Sequence, residues 1–253
     1  MNESIISPID ILAFSPHPDD VELGCGGSLI LAVNQGLRVA VADLTAAEMS
    51  SRGTPGQRAA ETTAAAELLG LSARVNLGLP DTQIGADPAH RLAVIELIRA
   101  ARPRLVLAPH WQDRHPDHEA AGALIRDACF YAGVGKVGRG VPHRPQQVFY
   151  YMIHTPFEPS FVIDVSAVWE PRMAAVRAYA SQFQPDAAGP ATALSRAGFL
   201  RYVEARAITY GALIGAAYGE PFAMRGPVPL AAFPGSDDLA DESGLLPAYR
   251  AVG

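Results

Sequence analysis

The chain has 253 residues, 49% of them hydrophobic and 18% charged, with a formal net charge of −6. That length fits one α/β domain with or without a small appendage, and the composition is that of a globular protein able to bury a sizeable core. The negative balance argues against a nucleic-acid partner held on a basic surface, and two cysteines are too few for a disulfide scaffold and suit a reducing compartment.

The elements follow in chain order. Residues 9–14 form a short apolar run closed by Pro16, which reads as a buried strand, and residues 24–35 read as a helix. Residues 39–44, rich in Val and Ala, give a second strand, and residues 57–69 a helix stopped by Gly70. A third strand is expected at 73–77, a helix at 90–101 with Leu92, Ile95 and Ile98 at helical spacing, and a fourth strand at 104–108. A helix follows Pro116 to about Tyr131, then a Gly/Pro-rich segment at 134–145 that reads as a mobile loop. Strands are expected at 147–153 and 161–165, a helix at 166–181, and a long Ala-rich helix at 191–217. Strands alternating with helices predict an α/β fold, a mostly parallel sheet with helices on both faces. Residues 1–222 read as one domain and 223–253 as a Pro/Gly-rich C-terminal tail, with the extended chain expected from Pro221. The N-terminal residues lack a basic stretch followed by an apolar run, so no signal peptide is expected. No apolar run reaches the roughly 18 residues of a membrane span, so no membrane partner and a cytoplasmic location are expected.

Two loops carry chemistry. Ser15-Pro16-His17-Pro18-Asp19-Asp20 follows the first predicted strand, and Asp113-Arg114-His115-Pro116-Asp117-His118 follows the fourth. In open parallel sheets ligands bind beyond the carboxyl ends of the strands, so the two loops can converge. A catalytic zinc site takes three His or carboxylate ligands and keeps one position for water. His17 and Asp20 are three residues apart, as are His115 and His118, and one turn of backbone can aim each pair at one point. Two histidines and one carboxylate as ligands leave Asp19, His115 and Asp117 over. Hydrolysis has uses for such groups: a carboxylate to take a proton from water, a histidine to stabilise an oxyanion or protonate a leaving amine, and a second carboxylate to orient that histidine.

These motifs resemble the signatures of the LmbE-like de-N-acetylase family, which includes the phosphatidylinositol-glycan class L (PIG-L) enzyme. Pro16-His17-Pro18-Asp19-Asp20 matches its first signature and His115-Pro116-Asp117-His118 its second. Ser51-Arg52-Gly53-Thr54, Gly78-Leu79-Pro80-Asp81 and Tyr218-Gly219-Glu220-Pro221-Phe222 are similar to the bacillithiol-biosynthesis deacetylase branch. The resemblance spans residues 9–222. It implies a Rossmann-like fold and a divalent metal, usually Zn2+ with Fe2+ or Co2+ as alternatives, held by His17, Asp20 and His118. It further implies Asp19 as general base, His115 as oxyanion stabiliser or proton donor backed by Asp117, and Arg52 as a substrate contact. The implied substrate is a small-molecule N-acetylated glycoconjugate, N-acetylglucosaminyl-malate in that branch, whose carboxylates suit an arginine. Homo-oligomers, trimers or hexamers, are also implied. The chain departs from many relatives at Ile208-Thr209, ahead of Tyr210-Gly211, and Tyr210 is a further substrate-binding candidate beside the plainer reading of a packed helix aromatic.

Other residues have structural readings. His110 is expected to be a hydrogen-bonded structural histidine, and His90, His143 and His154 surface or loop residues. Cys25 is expected to pack the helix start rather than act as a nucleophile. Asp113 and Arg114 read as rim or solvated loop charges, and Asp81 as a turn former or a pocket residue. Three alternatives remain open. Gly24-x-Gly26 and Asp43 mimic part of a dinucleotide-binding fingerprint, a metal- or sugar-binding relative without catalysis would keep the fold, and the deacetylated substrate could be a mycothiol precursor, chitin oligomer or antibiotic amide.

Overall fold

The computed structural model describes residues 8–185 and 189–228. Most of the C-terminal tail lies outside the described residues, as does the N-terminal segment before Pro8.

Strands β1 (Ile11–Ser15), β2 (Val39–Asp43), β3 (Ala73–Asn76), β4 (Leu105–Pro109), β5 (Gln147–Tyr151), β6 (Phe161–Asp164) and β7 (Gly219–Ala223) form one seven-stranded sheet in the order β3-β2-β1-β4-β5-β7-β6. The first five are parallel; β7 runs antiparallel to both β5 and β6. Helices α1 (Asp20–Asn34), α2 (Pro55–Leu69), α3 (Pro88–Ala101), α4 (Pro116–Ala132), α5 (Trp169–Arg177), α6 (Ala180–Phe183) and α7 (Phe199–Ala212) complete the fold. The alternation of strand side chains feeds two cores. Ile11, Ala13, Val39 and Val41 face α1, α2 and α5, whereas Leu12, Phe14, Ala40 and Ala42 face α3 and α4. The expected α/β fold with helices on both faces is therefore the observed one.

Local chemistry explains where the elements begin. Helix α2 starts two residues before the expected Gln57, because Thr54 and Gln57 form a reciprocal capping box around Pro55. It ends at Gly70 in the left-handed region, φ 69°. Helix α1 starts at Asp20, four residues ahead of the expected Gly24, and breaks at Cys25, whose φ is −148°. The break brings the backbone close to its neighbours. A Cβ on Gly24 would lie 2.3 Å from the Tyr151 ring, and one on Gly27 2.8 Å from Val165. The second half of the helix is capped from far along the chain, since Glu220 accepts from Gly27 N at 2.9 Å and Ser28 N at 2.8 Å.

Four expectations differ from the structure. Pro221 does not begin a surface tail, because Gly219–Ala223 is a buried strand inside the sheet. The helix expected at 166–181 is a 3-10 turn, Ser166–Val168, followed by the separate helices α5 and α6. The Ala-rich helix is confined to Phe199–Ala212. Segment 134–145 is clipped in place rather than loose. The Arg99 guanidinium donates to the carbonyls of Ala132, Val134 and Arg139, and the His143 ring bonds the Pro103 carbonyl at 2.7 Å.

Candidate active site

The two motifs meet beyond the carboxyl ends of β1 and β4, which lie side by side. In the first, the Asp20 carboxylate accepts from the His17 amide at 2.9 Å, folding the His-Pro-Asp-Asp run into one turn at the start of α1. Asp19 is the strained point of that turn, with φ at 120°; such backbone persists only where its surroundings hold it, and it concentrates at functional sites. The holding group is Arg58 of α2, whose guanidinium donates to the Pro18 carbonyl and lies 3.3 Å from the Asp19 carboxylate. In the second motif His115 caps α4, its Nδ1 accepting from the Asp117 amide at 3.2 Å. Pro116 supplies the first helical residue and His118 falls on the opening turn.

The side chains converge on one carboxylate oxygen. Asp20 Oδ2 lies 3.2 Å from His17 Nδ1 and 3.3 Å from His118 Nε2. Metal bonds of about 2.0–2.2 Å would put the ligand atoms of a tetrahedral site about 3.3–3.6 Å apart, so the three side chains would need to part by only a few tenths of an ångström to take one ion. Three groups hold their ligand atoms within 4.8 Å of one another: His17/His115/His118, Asp113/His118/His154 and His17/Asp81/Asp117. All of them include His17 or His118 and none includes Asp20, which lies against both histidines.

The electrostatics point the same way. Burial opposes the His17 cation, but Asp117, Asp20 and Asp81 outweigh it and raise its pKa to about 12. Burial likewise opposes the His118 cation, which Asp20 and Asp113 lift to about 9. Burial pushes the Asp20 carboxyl up, yet His118 and His17 hold it well below the usual carboxylate range. Carboxylates crowded into a buried site demand positive charge. Two imidazolium protons supply it here, and a divalent cation would supply the same charge between neutral rings. The donor set therefore fits a metal ion. Burial raises the Asp19 carboxyl to about 7 against the lowering effect of Arg58. His115 and His154 are lowered, chiefly by burial and His154 to about 4, so both rings are neutral at pH 7.

The cavity is about 270 Å3 and is lined by His17, Asp19, Asp20, Arg58, Asp81, His115, His118 and His154, with Met49 and Leu194 among the apolar residues. A larger groove of about 890 Å3 runs between α2 and β3 and meets this cavity at Arg58. Among the described residues no histidine lines it, and its Asp43 is paired with Arg74 through two 2.8 Å bonds. That pairing also occupies the carboxylate that a dinucleotide reading would have placed on a ribose.

Of the residues expected from the sequence, His17, Asp19, Asp20, His115 and His118 line one cavity. Asp117 is buried beside it, but its carboxylate lies against His17 Nε2 at 3.3 Å and not behind His115. Arg52 does not line the cavity; its guanidinium donates to the carbonyls of Ser181, Gln184 and Pro190. Tyr210 is buried in α7 and donates its hydroxyl to the Phe157 carbonyl at 3.1 Å. His154, expected at the surface, stacks on His118 with ring centroids 5.3 Å apart, and His90 is buried with its Nδ1 accepting from Gly85 N. His110 is the structural residue expected, stacked between Trp111 and Phe157. Arg58 and His154 belong to no motif, so only the packing of α2 and the end of β5 places them at the site. Cys25 and Cys129 are buried free thiols.

Known proteins resemble this chain in sequence and fold. The family model of the GlcNAc-PI de-N-acetylases, PIG-L, matches residues 12–129. A diacetylchitobiose deacetylase of Thermococcus kodakarensis is 32% identical over 204 residues, 74% of this chain and 74% of that protein. The crystal structure of a conserved protein of Thermus thermophilus superposes with a TM-score of 0.81 at 41% identity, covering 89% of this chain and 98% of that one. A 4-oxalmesaconate hydratase of Pseudomonas putida is 26% identical over 196 residues, 68% of this chain and 73% of that protein. The chain belongs to the PIG-L/LmbE-like de-N-acetylase family.

Proposed function

We propose that the protein is a metal-dependent N-deacetylase that hydrolyses the acetamide of an N-acetylglucosamine conjugate and releases acetate. The observation that carries this reading is the convergence of His17 and His118 on one oxygen of Asp20, with Asp19 and His115 on the same cavity. A divalent ion held by His17, Asp20 and His118, zinc first with iron(II) or cobalt(II) as alternatives, would supply polarisation of the acetyl carbonyl and a lowered pKa for water.

The chain's own residues do the rest. Asp19 is the proposed general base, taking a proton from the attacking water. Arg58 fixes its carboxylate and the turn that carries it. His115 has its Nδ1 engaged by the Asp117 amide, which leaves the proton on Nε2. That N–H suits the developing oxyanion or the leaving nitrogen. Asp117 acts through His17 in this proposal. In this reading Arg52 and Tyr210, expected from the sequence as substrate contacts, serve the carbonyls they bind, those of Ser181, Gln184 and Pro190 and that of Phe157. Neutral His154, with no hydrogen-bond partner for its ring among the described residues, takes over the role of a polar contact to the sugar.

The cavity favours a neutral second unit on the substrate. Arg58 is the lone Arg or Lys among its described lining residues, and Asp19 already pairs with it. The two carboxylates of N-acetylglucosaminyl-malate would need cations not so engaged, so a disaccharide such as diacetylchitobiose, the substrate named for the Thermococcus relative, is the better fit. A hydratase acting on a carboxylated substrate, suggested by the likeness to the Pseudomonas hydratase, ranks second for the same lack of free cations. The proposal extends to a cytoplasmic location, supported by the two buried free thiols. It also extends to a homo-oligomer, trimer or hexamer, supported by exposed Tyr202, Ile208 and Leu213 along and just beyond α7. Among the described residues no helix is long and apolar enough to cross a membrane.

The test is acetate release by zinc-loaded protein from diacetylchitobiose, longer chitin oligomers, N-acetylglucosaminyl-malate, the mycothiol precursor and an N-acetylated antibiotic. Acetate from diacetylchitobiose is the expected result. Zinc bound at one equivalent with no acetate from any of them would refute the deacetylase reading.

A further inference from the structure

Each of the two histidines that meet at Asp20 presents its other ring nitrogen to a second carboxylate. His17 Nε2 lies 3.1 Å from Asp81 Oδ1, and His118 Nδ1 lies 3.1 Å from Asp113 Oδ1. Neither carboxylate is a loose surface charge. Asp81 accepts from the Met49 amide at 3.0 Å through its other oxygen. Asp113 accepts from the His115 amide on one oxygen and from the His154 and Thr155 amides on the other, at 3.0, 2.9 and 3.2 Å. Both side chains are nearly buried, at 7% and 3% exposure. Backbone N–H groups therefore fix each carboxylate, and each carboxylate fixes one imidazole. A carboxylate in that position sets which ring nitrogen carries the proton, aims the other at the ion and raises its basicity.

We propose that Asp81 and Asp113 are positioning residues that hold His17 and His118 in the tautomer and orientation for metal ligation, and so set how tightly the ion is retained. The inference rests on the metal site proposed above. It also predicts an order. His17 Nε2 has Asp117 at 3.3 Å as a second carboxylate, whereas among the described residues Asp113 is the carboxylate on His118 Nδ1. Loss of Asp113 therefore weakens the site more than loss of Asp81.

The experiment measures zinc affinity of the full chain by competition with a chromophoric chelator, for the wild type, Asp81→Asn and Asp113→Asn, beside thermal unfolding of each in EDTA. Asp113→Asn is expected to lose affinity by about 10–100-fold, and Asp81→Asn by a smaller factor. A role confined to folding would lower the EDTA melting temperature and leave affinity unchanged. The two residues sit on separate loops, so one variant still decides the question if the other folds poorly. Wild-type affinity in both variants, with a raised KM for the acetylated substrate, would overturn the proposal and make them substrate contacts. A wild type that binds no zinc would instead overturn the metal reading beneath it.

Discussion

Arg58→Met is the most searching perturbation of the site's framework. The Arg58 side chain is 5% exposed and the Asp19 side chain beside it 7%. Methionine keeps most of the aliphatic stem, so the change removes charge and hydrogen bonds with little loss of packing. What remains is a buried Asp19 carboxyl that must take a proton or stay charged without its cation, and the Pro18 carbonyl without its donor, beside the Asp19 backbone already strained at φ 120°. Removing one partner of a buried pair costs about 3–5 kcal/mol. The parts are consistent with that figure, since an unsatisfied buried carbonyl accounts for about 1–3 kcal/mol of it. The contact of Arg58 over the Tyr179 ring, at 5.2 Å, adds about 0.5–2 kcal/mol. Against a total stability of about 5–15 kcal/mol the loss is large. Urea unfolding of EDTA-treated protein measures it, with an unchanged m-value as the check that the unfolded state is the same. Arg58→Lys, which keeps a charge but not the two-pronged contact, should fall between. Acetate turnover should drop in both variants with KM little moved. A stability change below about 1 kcal/mol for Arg58→Met would refute the reasoning, because the carboxylate would then have found water or another partner.

Gly24→Ala places a methyl 2.3 Å from the Tyr151 ring and 2.9 Å from the Met152 carbonyl. Overpacking of this kind costs about 1–3 kcal/mol, and a melting temperature equal to wild type would mean that α1 can move off β5. Burial raises the Cys129 thiol to about 12 and the Cys25 thiol well above its ordinary value. In a disulfide reagent at pH 8 the folded protein should show no fast-reacting thiol, since the Cys129 thiolate fraction is of order 10⁻⁴. Both should react on unfolding, when they return to a pKa near 8.5. Stoichiometric labelling of the native protein would contradict the burial of both.

The strands and the two His-Pro-Asp loops were legible because they obey local rules. Apolar runs of about five residues alternate with helical spacing, and His, Pro and Asp crowd the ends of two of those runs. Helix starts were legible only in part. Thr54 announces α2 through its partner Gln57, but Asp19 at the head of α1 makes no side-chain cap and takes an unusual backbone angle, so no capping pattern marks that start. Strand β7 was hidden by Pro221, which argues against a strand inside a sheet. The cost is borne there because Glu220, next to it, serves helix α1. The roles of Arg52, Arg58 and His154 were not legible, since nothing local says which arginine reaches a cavity and which binds carbonyls. The contact of Asp117 was not legible either: the resemblance set it behind His115, while the fold turns its carboxylate toward His17, 100 positions earlier.

The contact between Glu220 and the amides of Gly27 and Ser28 has a consequence for synthesis. Both His-Pro-Asp motifs leave the ribosome within the first half of the chain, yet the carboxylate that caps the broken first helix lies 193 residues beyond Gly27. Until that strand emerges and inserts between its two neighbours, the helix behind the His-Pro-Asp-Asp turn has open N–H groups and the sheet has an unfilled slot. Pairings of such long range form late. The nascent chain therefore holds both His-Pro-Asp motifs long before it holds the strand that completes the sheet behind them.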